Sequence, residues 1–341
     1  MSTPIKVLVV DDSAFMRGVL VRKVESDPRF KVVDTAANGR EAVEKVLALK
    51  PDVVTLDVDM PVMNGIEALK EIIRLSQSAV LMVSARTEAG AAITLEALSL
   101  GAVDFIPKSR GTENIIEKLL AAAEAKYNRS RQSQVRSTIP RPSPIPMRAA
   151  GAAKATAKIC IIGSSTGGPQ ALQTVLTQLP ENMPVPVVIA QHMPPQFTKA
   201  LAQRLNELCK PKVVEAADGD ALTRGVVYIS PGGMQTRVTA GGIRVSADQG
   251  ESLYKPSVDV LAESARSAFG KNILGVMLTG MGADGASEFV KLKKLGGHII
   301  AQDQASCVVY GMPRSLVEAG GADEVLPLDQ IGARIRSFLG C

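Results

Sequence analysis

The chain of 341 residues has room for about two domains. With 46% hydrophobic and 21% charged residues it can bury packed cores, which excludes a chain disordered throughout. The net charge of +5 invites a nucleic-acid or membrane partner. Aromatics at 3% and no Trp exclude a base-stacking platform, and the four cysteines and two histidines lack zinc-ligand spacing.

The first unit, residues 1–125, opens on an apolar run at 5–10 that ends in Asp11-Asp12-Ser13. Strand-sized runs recur at 52–58, 79–84 and 102–106, with a shorter strand expected at 31–34. Helix-length segments lie between them near 13–26, 38–49, 64–75 and 87–100, and another follows from 112. This alternation predicts a parallel sheet with helices on both faces and functional groups at the carboxyl ends of the strands. Those ends carry Asp11 and Asp12, Asp57, Ser84 and, after the fifth strand, Lys108. Carboxylates held together repel, so a divalent cation is their natural partner, and an all-oxygen set suits Mg2+. Lys108 adds a point charge for a phosphate, and a carboxylate can itself accept a phosphoryl group. Singly, each acid reads equally well as a helix cap or loop charge; together, at strand ends, they do not.

These residues, with Phe105, resemble the receiver domain of bacterial response regulators in order and over the whole unit. The resemblance implies a flavodoxin-like sheet with Asp57 as phosphoacceptor and a histidine kinase as phosphodonor. It implies Mg2+ at Asp11, Asp12 and Asp57 with the Asp59 carbonyl, and Ser84 and Phe105 as the pair that moves on phosphorylation. Ser109 stands where receivers usually carry Pro, so the loop there is expected to sit differently.

Residues 126–156 read as a tether. From Lys126 to Lys158 there are eight Lys/Arg and no acid, with Pro140, Pro142, Pro144 and Pro146 and an Ala-rich end. Residues 1–125 carry a net −3 and residues 159–341 a net zero, so this stretch supplies the whole positive excess. The charge therefore argues for a solvated linker rather than for nucleic-acid binding.

The second unit, residues 157–341, begins with the strand candidate Ile159–Ile162 running into Gly163-Ser164-Ser165-Thr166-Gly167-Gly168-Pro169 and then a helical pattern. No Lys-Ser/Thr follows, which argues against a nucleotide phosphate loop, and the spacing is not G-x-G-x-x-G. It fits G-x-S-x-G, with Ser165 exposed on a strand-to-helix turn, although alone a plain Gly/Ser turn explains it better. A hydroxyl nucleophile needs a base. His192 follows the apolar run 185–190, at a strand's carboxyl end, whereas His298 starts a strand at the other edge and reads as structural. Asp284, in a glycine-rich turn after the strand 273–278, is a third group to orient the imidazole, or by itself a helix cap. The three are expected to converge above one parallel sheet, in the chain order Ser, His, Asp rather than the Ser, Asp, His of α/β-hydrolases.

Gly163–Gly168, Gln191–Pro195, Lys255–Asp259, Leu278–Gly282 with Asp284–Ala286, and Tyr310–Arg314 resemble the catalytic domain of chemotaxis protein-glutamate methylesterases. The resemblance implies a second doubly wound, Rossmann-like domain, making the chain α/β with two parallel-sheet domains joined by a linker. It implies Ser165 as nucleophile, His192 as base, Asp284 as orienting acid and backbone N–H groups at Thr166 and Met281 for the oxyanion. It further implies phosphorylation-activated hydrolysis of glutamate methyl esters on chemoreceptors, deamidation of receptor glutamine, and no cofactor in this half. Gln235 stands where the family often has His, and contact with substrate is expected there.

Two rivals remain on sequence alone. A DNA-binding output lacks the charge and the helix-turn-helix pattern; a non-catalytic adaptor stays open. The apolar runs are too short for a membrane helix and the N-terminus enters a strand directly, so a reduced, cytoplasmic monomer is expected. The end Phe338–Cys341 is not expected to serve as a receptor-tethering peptide.

Overall fold

The computed structural model describes residues 3–85, 87–108, 114–136, 157–247 and 252–341, without the side chains of 128–136. The chain divides into two compact units, 1–138 and 139–341.

The first unit alternates β1 (Ile5–Val10), α1 (Ala14–Glu25), β2 (Phe30–Ala36), α2 (Gly39–Leu49), β3 (Val53–Asp57), α3 (Gly65–Leu75), β4 (Ala79–Ala85), α4 (Glu88–Leu100), β5 (Asp104–Lys108) and α5 (Ile115–Arg136). The strands form one sheet in the order β2-β1-β3-β4-β5, every pair parallel. Val7–Val10, Val53–Leu56 and Val80–Val83 are buried, as unbroken apolar runs must be in a sheet covered on both faces. Four helices start on side-chain caps. Ser13, Asn38, Asn64 and Thr87 each accept the N–H of the residue three positions on.

α5 runs past the expected boundary. Residues 126–136, assigned to the linker from sequence, continue the helix, because no Gly or Pro interrupts 115–136 and the next Pro is at 140. Ser109 and residues 137–156 lie outside the described residues.

The second unit comprises β6 (Ile159–Ser164), α6 (Gly168–Leu176), β7 (Val187–Gln191), α7 (Phe197–Leu208), β8 (Lys212–Glu215), β9 (Val226–Ile229), β10 (Gln235–Thr239), β11 (Gly242–Ser246), α8 (Val258–Phe269), β12 (Ile273–Met277), α9 (Ala286–Lys294), β13 (His298–Gln302), α10 (Met312–Glu318), β14 (Glu324–Leu326) and α11 (Leu328–Leu339). Its seven-stranded sheet has the order β14-β13-β12-β6-β7-β9-β8, all parallel, and β10 and β11 form a separate antiparallel hairpin. From β6 the chain moves outward through β7 and then crosses back to β12 on the other side. The strand order therefore reverses between β6 and β12, and in open α/β sheets ligands bind at the carboxyl ends of the strands at such a reversal. Gly163 on β6 lets α8 pack close: a Cβ there would stand 2.5 Å from Val258 Cγ1. Among the described residues, no helix is long and apolar enough to cross a membrane.

Candidate active site and acidic cluster

Ser165 is the first residue past β6, and its backbone is tied to the ends of both neighbouring strands. Its N–H donates to the Thr279 carbonyl (3.0 Å), and its carbonyl accepts from the Gly168 N–H (2.8 Å) and from Gln191 Nε2 (2.9 Å). Gln191 Oε1 also accepts from Ser164 Oγ at 2.6 Å. Gly167, at φ +77°, turns the chain into α6. Gly280 backs the serine: a Cβ there would lie 2.8 Å from Ser165 Cβ. The Gly280–Met281 peptide can therefore lie alongside the serine, and among the described residues no backbone carbonyl accepts the Met281 N–H. Thr166 is buried, and its carbonyl accepts from Thr279 Oγ1 at 3.0 Å.

His192 follows β7, with its N–H on the Ser164 carbonyl at 3.0 Å. Its Nε2 stands 2.7 Å from Asp284 Oδ2. Asp284 also accepts from Ser257 Oγ (2.9 Å) and from the N–H groups of Val258 (2.7 Å) and Asp259 (3.1 Å). Burial pushes this carboxyl up, but the bond from His192 and the backbone donors outweigh it and hold Asp284 below its ordinary value. An ionised carboxylate only accepts, so Nε2 carries the imidazole proton. Nδ1 is buried, has no hydrogen-bond partner among the described residues, and carries the lone pair whenever the ring is neutral. The nitrogens are thus used in the opposite sense to the usual serine-protease arrangement.

Asp284 does not cap the helix that follows it; α9 begins on Gly285 with no side-chain cap. Its carboxylate sits instead on the first N–H groups of α8, a helix from an earlier part of the chain. Asp259 returns the favour, its Oδ1 accepting from Ser287 Oγ and the Glu288 N–H, both at 3.3 Å, at the start of α9. Burial and the nearby Asp284 charge push the Asp259 carboxyl up.

Two expectations about side positions change or gain detail. Gln235 is buried and pinned, donating to the Tyr254 carbonyl (2.8 Å) and accepting from the Ser257 N–H (2.9 Å), so its side chain is spent on protein contacts rather than on the substrate contact expected of it. His298 opens β13 at the opposite edge of the sheet from Ser165, pairs with Glu324 and stacks on Phe338.

In the first unit, Asp11, Asp12 and Asp57 offer carboxylate oxygens within 4.8 Å of one another. Lys108 Nζ stands 2.7 Å from Asp57 Oδ2 and 3.1 Å from Asp11 Oδ2. Burial pushes Asp57 up to about 6, with the Asp11 charge adding to it and Lys108 opposing. The Lys108 ammonium is held above its ordinary value: burial works against the charge, and its two carboxylates prevail. Asp59 is exposed and its carboxylate lies outside the cluster. Ser84 is buried, with its hydroxyl on the Gly90 carbonyl of α4 (3.2 Å), and Phe105 is buried on β5 with Lys118 Nζ 5.4 Å from its ring centroid.

Residues 160–335 match the CheB methylesterase family, and residues 7–120 match the response regulator receiver domain. The chain belongs to the CheB methylesterase family. A protein from Pseudoalteromonas translucida called protein-glutamate methylesterase/protein-glutamine glutaminase is 43% identical, across 99% of both chains. One of the same name from Vibrio parahaemolyticus is 46% identical over 98% of this chain and 99% of its own. Among solved structures, the Thermotoga maritima CheB methylesterase catalytic domain is 40% identical with a TM-score of 0.50, covering 54% of this chain and 98% of that one. The chain is thus a methylesterase with a receiver domain, built as two parallel-sheet α/β domains, as the motifs led one to expect.

Several residues around the candidate site were not singled out from sequence. Gln191 and Thr279 fix the serine turn, Ser257 binds Asp284, and Tyr254 lies flat on His192. Gln191, Ser257 and Thr279 sit inside the motif blocks, which was the one available pointer, and Tyr254 lies just outside them. The partners of Gln191, Ser257 and Thr279 lie 26, 27 and 113 residues away, and no local pattern reveals such a contact.

Proposed function

We propose that this chain hydrolyses glutamate methyl esters on the cytoplasmic helices of chemoreceptors, deamidates receptor glutamine, and is activated when a histidine kinase phosphorylates Asp57. The names of the full-length relatives support glutamate methyl ester and glutamine side chains of a protein as the substrates. The observation that carries the mechanism is the His192–Asp284 pair beside the Ser165 turn, its Nδ1 without a hydrogen-bond partner among the described residues.

Ser165 Oγ attacks the ester carbonyl as its proton passes to His192 Nδ1, and the Asp284 carboxylate balances the imidazolium. The Met281 N–H, with a second at Thr166, donates to the oxyanion, each worth about 3 kcal/mol. His192 returns the proton to the departing methoxide, and methanol leaves a seryl acyl ester. Water then attacks with His192 again as base, releasing glutamate and restoring Ser165. Glutamine follows the same course with ammonia as the leaving group.

In the receiver, Asp11, Asp12 and Asp57 fit Mg2+, an all-oxygen set with buried carboxylate oxygens, and the Asp59 carbonyl would complete the protein ligands. Bound there, the ion would offset charge on the transferred phosphoryl oxygens. Lys108 would hold one of those oxygens, and Ser84 would leave Gly90 to reach another, with Phe105 following.

The test is methanol release from methylated receptor membranes by the full chain, with and without a small phosphodonor. Ser165→Ala is expected to lower release by about 10^6-fold, and phosphodonor to raise the wild-type rate. Normal turnover by Ser165→Ala would remove the nucleophile assignment.

A further inference from the structure

The Tyr254 ring lies on the His192 imidazole with centroids 4.2 Å apart and planes 2° from parallel. The ring also reaches across to the Asp284 turn, since a Cβ on Gly282 would meet Tyr254 Oη at 3.2 Å. Its backbone is held on both sides. The carbonyl accepts from Gln235 Nε2 (2.8 Å) and Ser252 Oγ (3.1 Å), and Gln235 Oε1 takes the Ser257 N–H three residues on (2.9 Å). A single buried glutamine therefore staples the turn that carries both the ring over His192 and the hydroxyl on Asp284.

We infer that Tyr254 is a positioning residue for the esterase reaction: its ring fixes the imidazole plane and stabilises the imidazolium formed as Ser165 attacks, with Gln235 holding the ring in place. This rests on the Ser165–His192–Asp284 reading above. An aromatic face is electron-rich and attracts a cation far more than a neutral ring. A general base must be neutral to take the Ser165 proton and is cationic once it has, so the stack strengthens as the barrier is climbed. Such an interaction acts on kcat and leaves KM nearly unchanged. The phenol oxygen is not needed for it.

The chain has two histidines, so their ring-proton resonances separate readily in the full-length protein. Tyr254→Leu is expected to remove the ring-current shift from one histidine, with His298 on Phe338 as an unmoved internal reference. It is expected to lower kcat for methanol release about ten-fold with KM within about two-fold. Tyr254→Phe should restore both the shift and kcat. Gln235→Met, which cuts both staples, should give a smaller loss in kcat of the same kind, and it serves if Tyr254→Leu does not fold. A Tyr254→Leu protein that loses the shift but keeps kcat overturns the inference, as does a change confined to KM, which would make Tyr254 a substrate-binding surface. A fully active Ser165→Ala protein would instead fault the triad reading, whatever Tyr254 does.

Discussion

Asp57 and Asp284 are both buried carboxylates at the carboxyl end of a parallel sheet, yet their electrostatics point in opposite directions. Asp284 is met by an imidazole N–H, a hydroxyl and two backbone N–H groups, and its carboxyl falls below the ordinary value. Asp57 faces Lys108 but shares that cation with Asp11, and burial carries it up to about 6. Burial alone therefore does not set the role of a carboxylate; the donors around it do. One saturated with donors is a committed anion, suited to holding a histidine. One short of donors keeps lone pairs to offer to a cation or a phosphorus atom.

The largest effect should come from unsettling the saturated one. Asp284→Asn keeps the size of the side chain but removes the charge that balances the imidazolium and allows the amide to face His192 the wrong way. By analogy with the same substitution in serine proteases, kcat should fall about 10^4-fold. Steady-state methanol release measures this. A loss of less than about ten-fold would mean that His192 works without an anionic partner, and the contrast with Asp57 would lose its functional meaning.

Asp57→Asn tests the other side. A folded value of about 6 against 3.8 means that the ionised form is disfavoured by folding: the cost is fully present above about pH 6 and vanishes as pH falls below 3.8. With Mg2+ chelated, the asparagine variant should gain stability on the order of 2 kcal/mol at about pH 8 and nothing near pH 3.5. Denaturant melts of the full chain at the two pH values check it. The same variant should lose stimulation by a phosphodonor while keeping its basal esterase rate. A destabilised variant at the higher pH would show that Lys108 satisfies Asp57 after all.

The positions of these acids were legible in the sequence, and their environments were not. Asp11, Asp57, Ser165, His192 and Asp284 each follow an apolar run, and a strand followed by a turn puts a residue at a predictable edge. The strand order of a doubly wound sheet then brings such ends together. What escapes is whatever tertiary packing decides. Asp284 read equally as the cap of its own helix, and it caps α8 instead. Gln235 was linked to substrate only because it stands where the family often has His, and nothing local shows that it is buried against the Tyr254 turn. The reach of α5 escaped for a different reason: residues 126–136 are basic and polar like the tether that follows, yet with no Gly or Pro among them the helix continues to Arg136.

The smallest effect would grade the comparison rather than test its ends. Ser257 has two tasks: its Oγ accepts the Val260 N–H as the cap of α8 at 3.3 Å and donates to Asp284 Oδ1 at 2.9 Å. Ser257→Ala removes one of four donors to the carboxylate and moves Asp284 one step toward the poorly satisfied state of Asp57. Loss of the cap costs about 1 kcal/mol of stability, seen as a lower denaturation midpoint. Three donors remain, including His192 and both backbone groups, so Asp284 should stay ionised at neutral pH and kcat should fall by less than about ten-fold. The loss should also widen as pH is lowered, because a carboxylate short of one donor takes up its proton earlier. A drop as deep as that of Asp284→Asn would place Ser257 in direct contact with the reacting groups. A kcat unchanged down to about pH 5 would mean that the backbone N–H groups of α8 alone keep Asp284 charged, and that the helix terminus, not the serine, separates the two carboxylates.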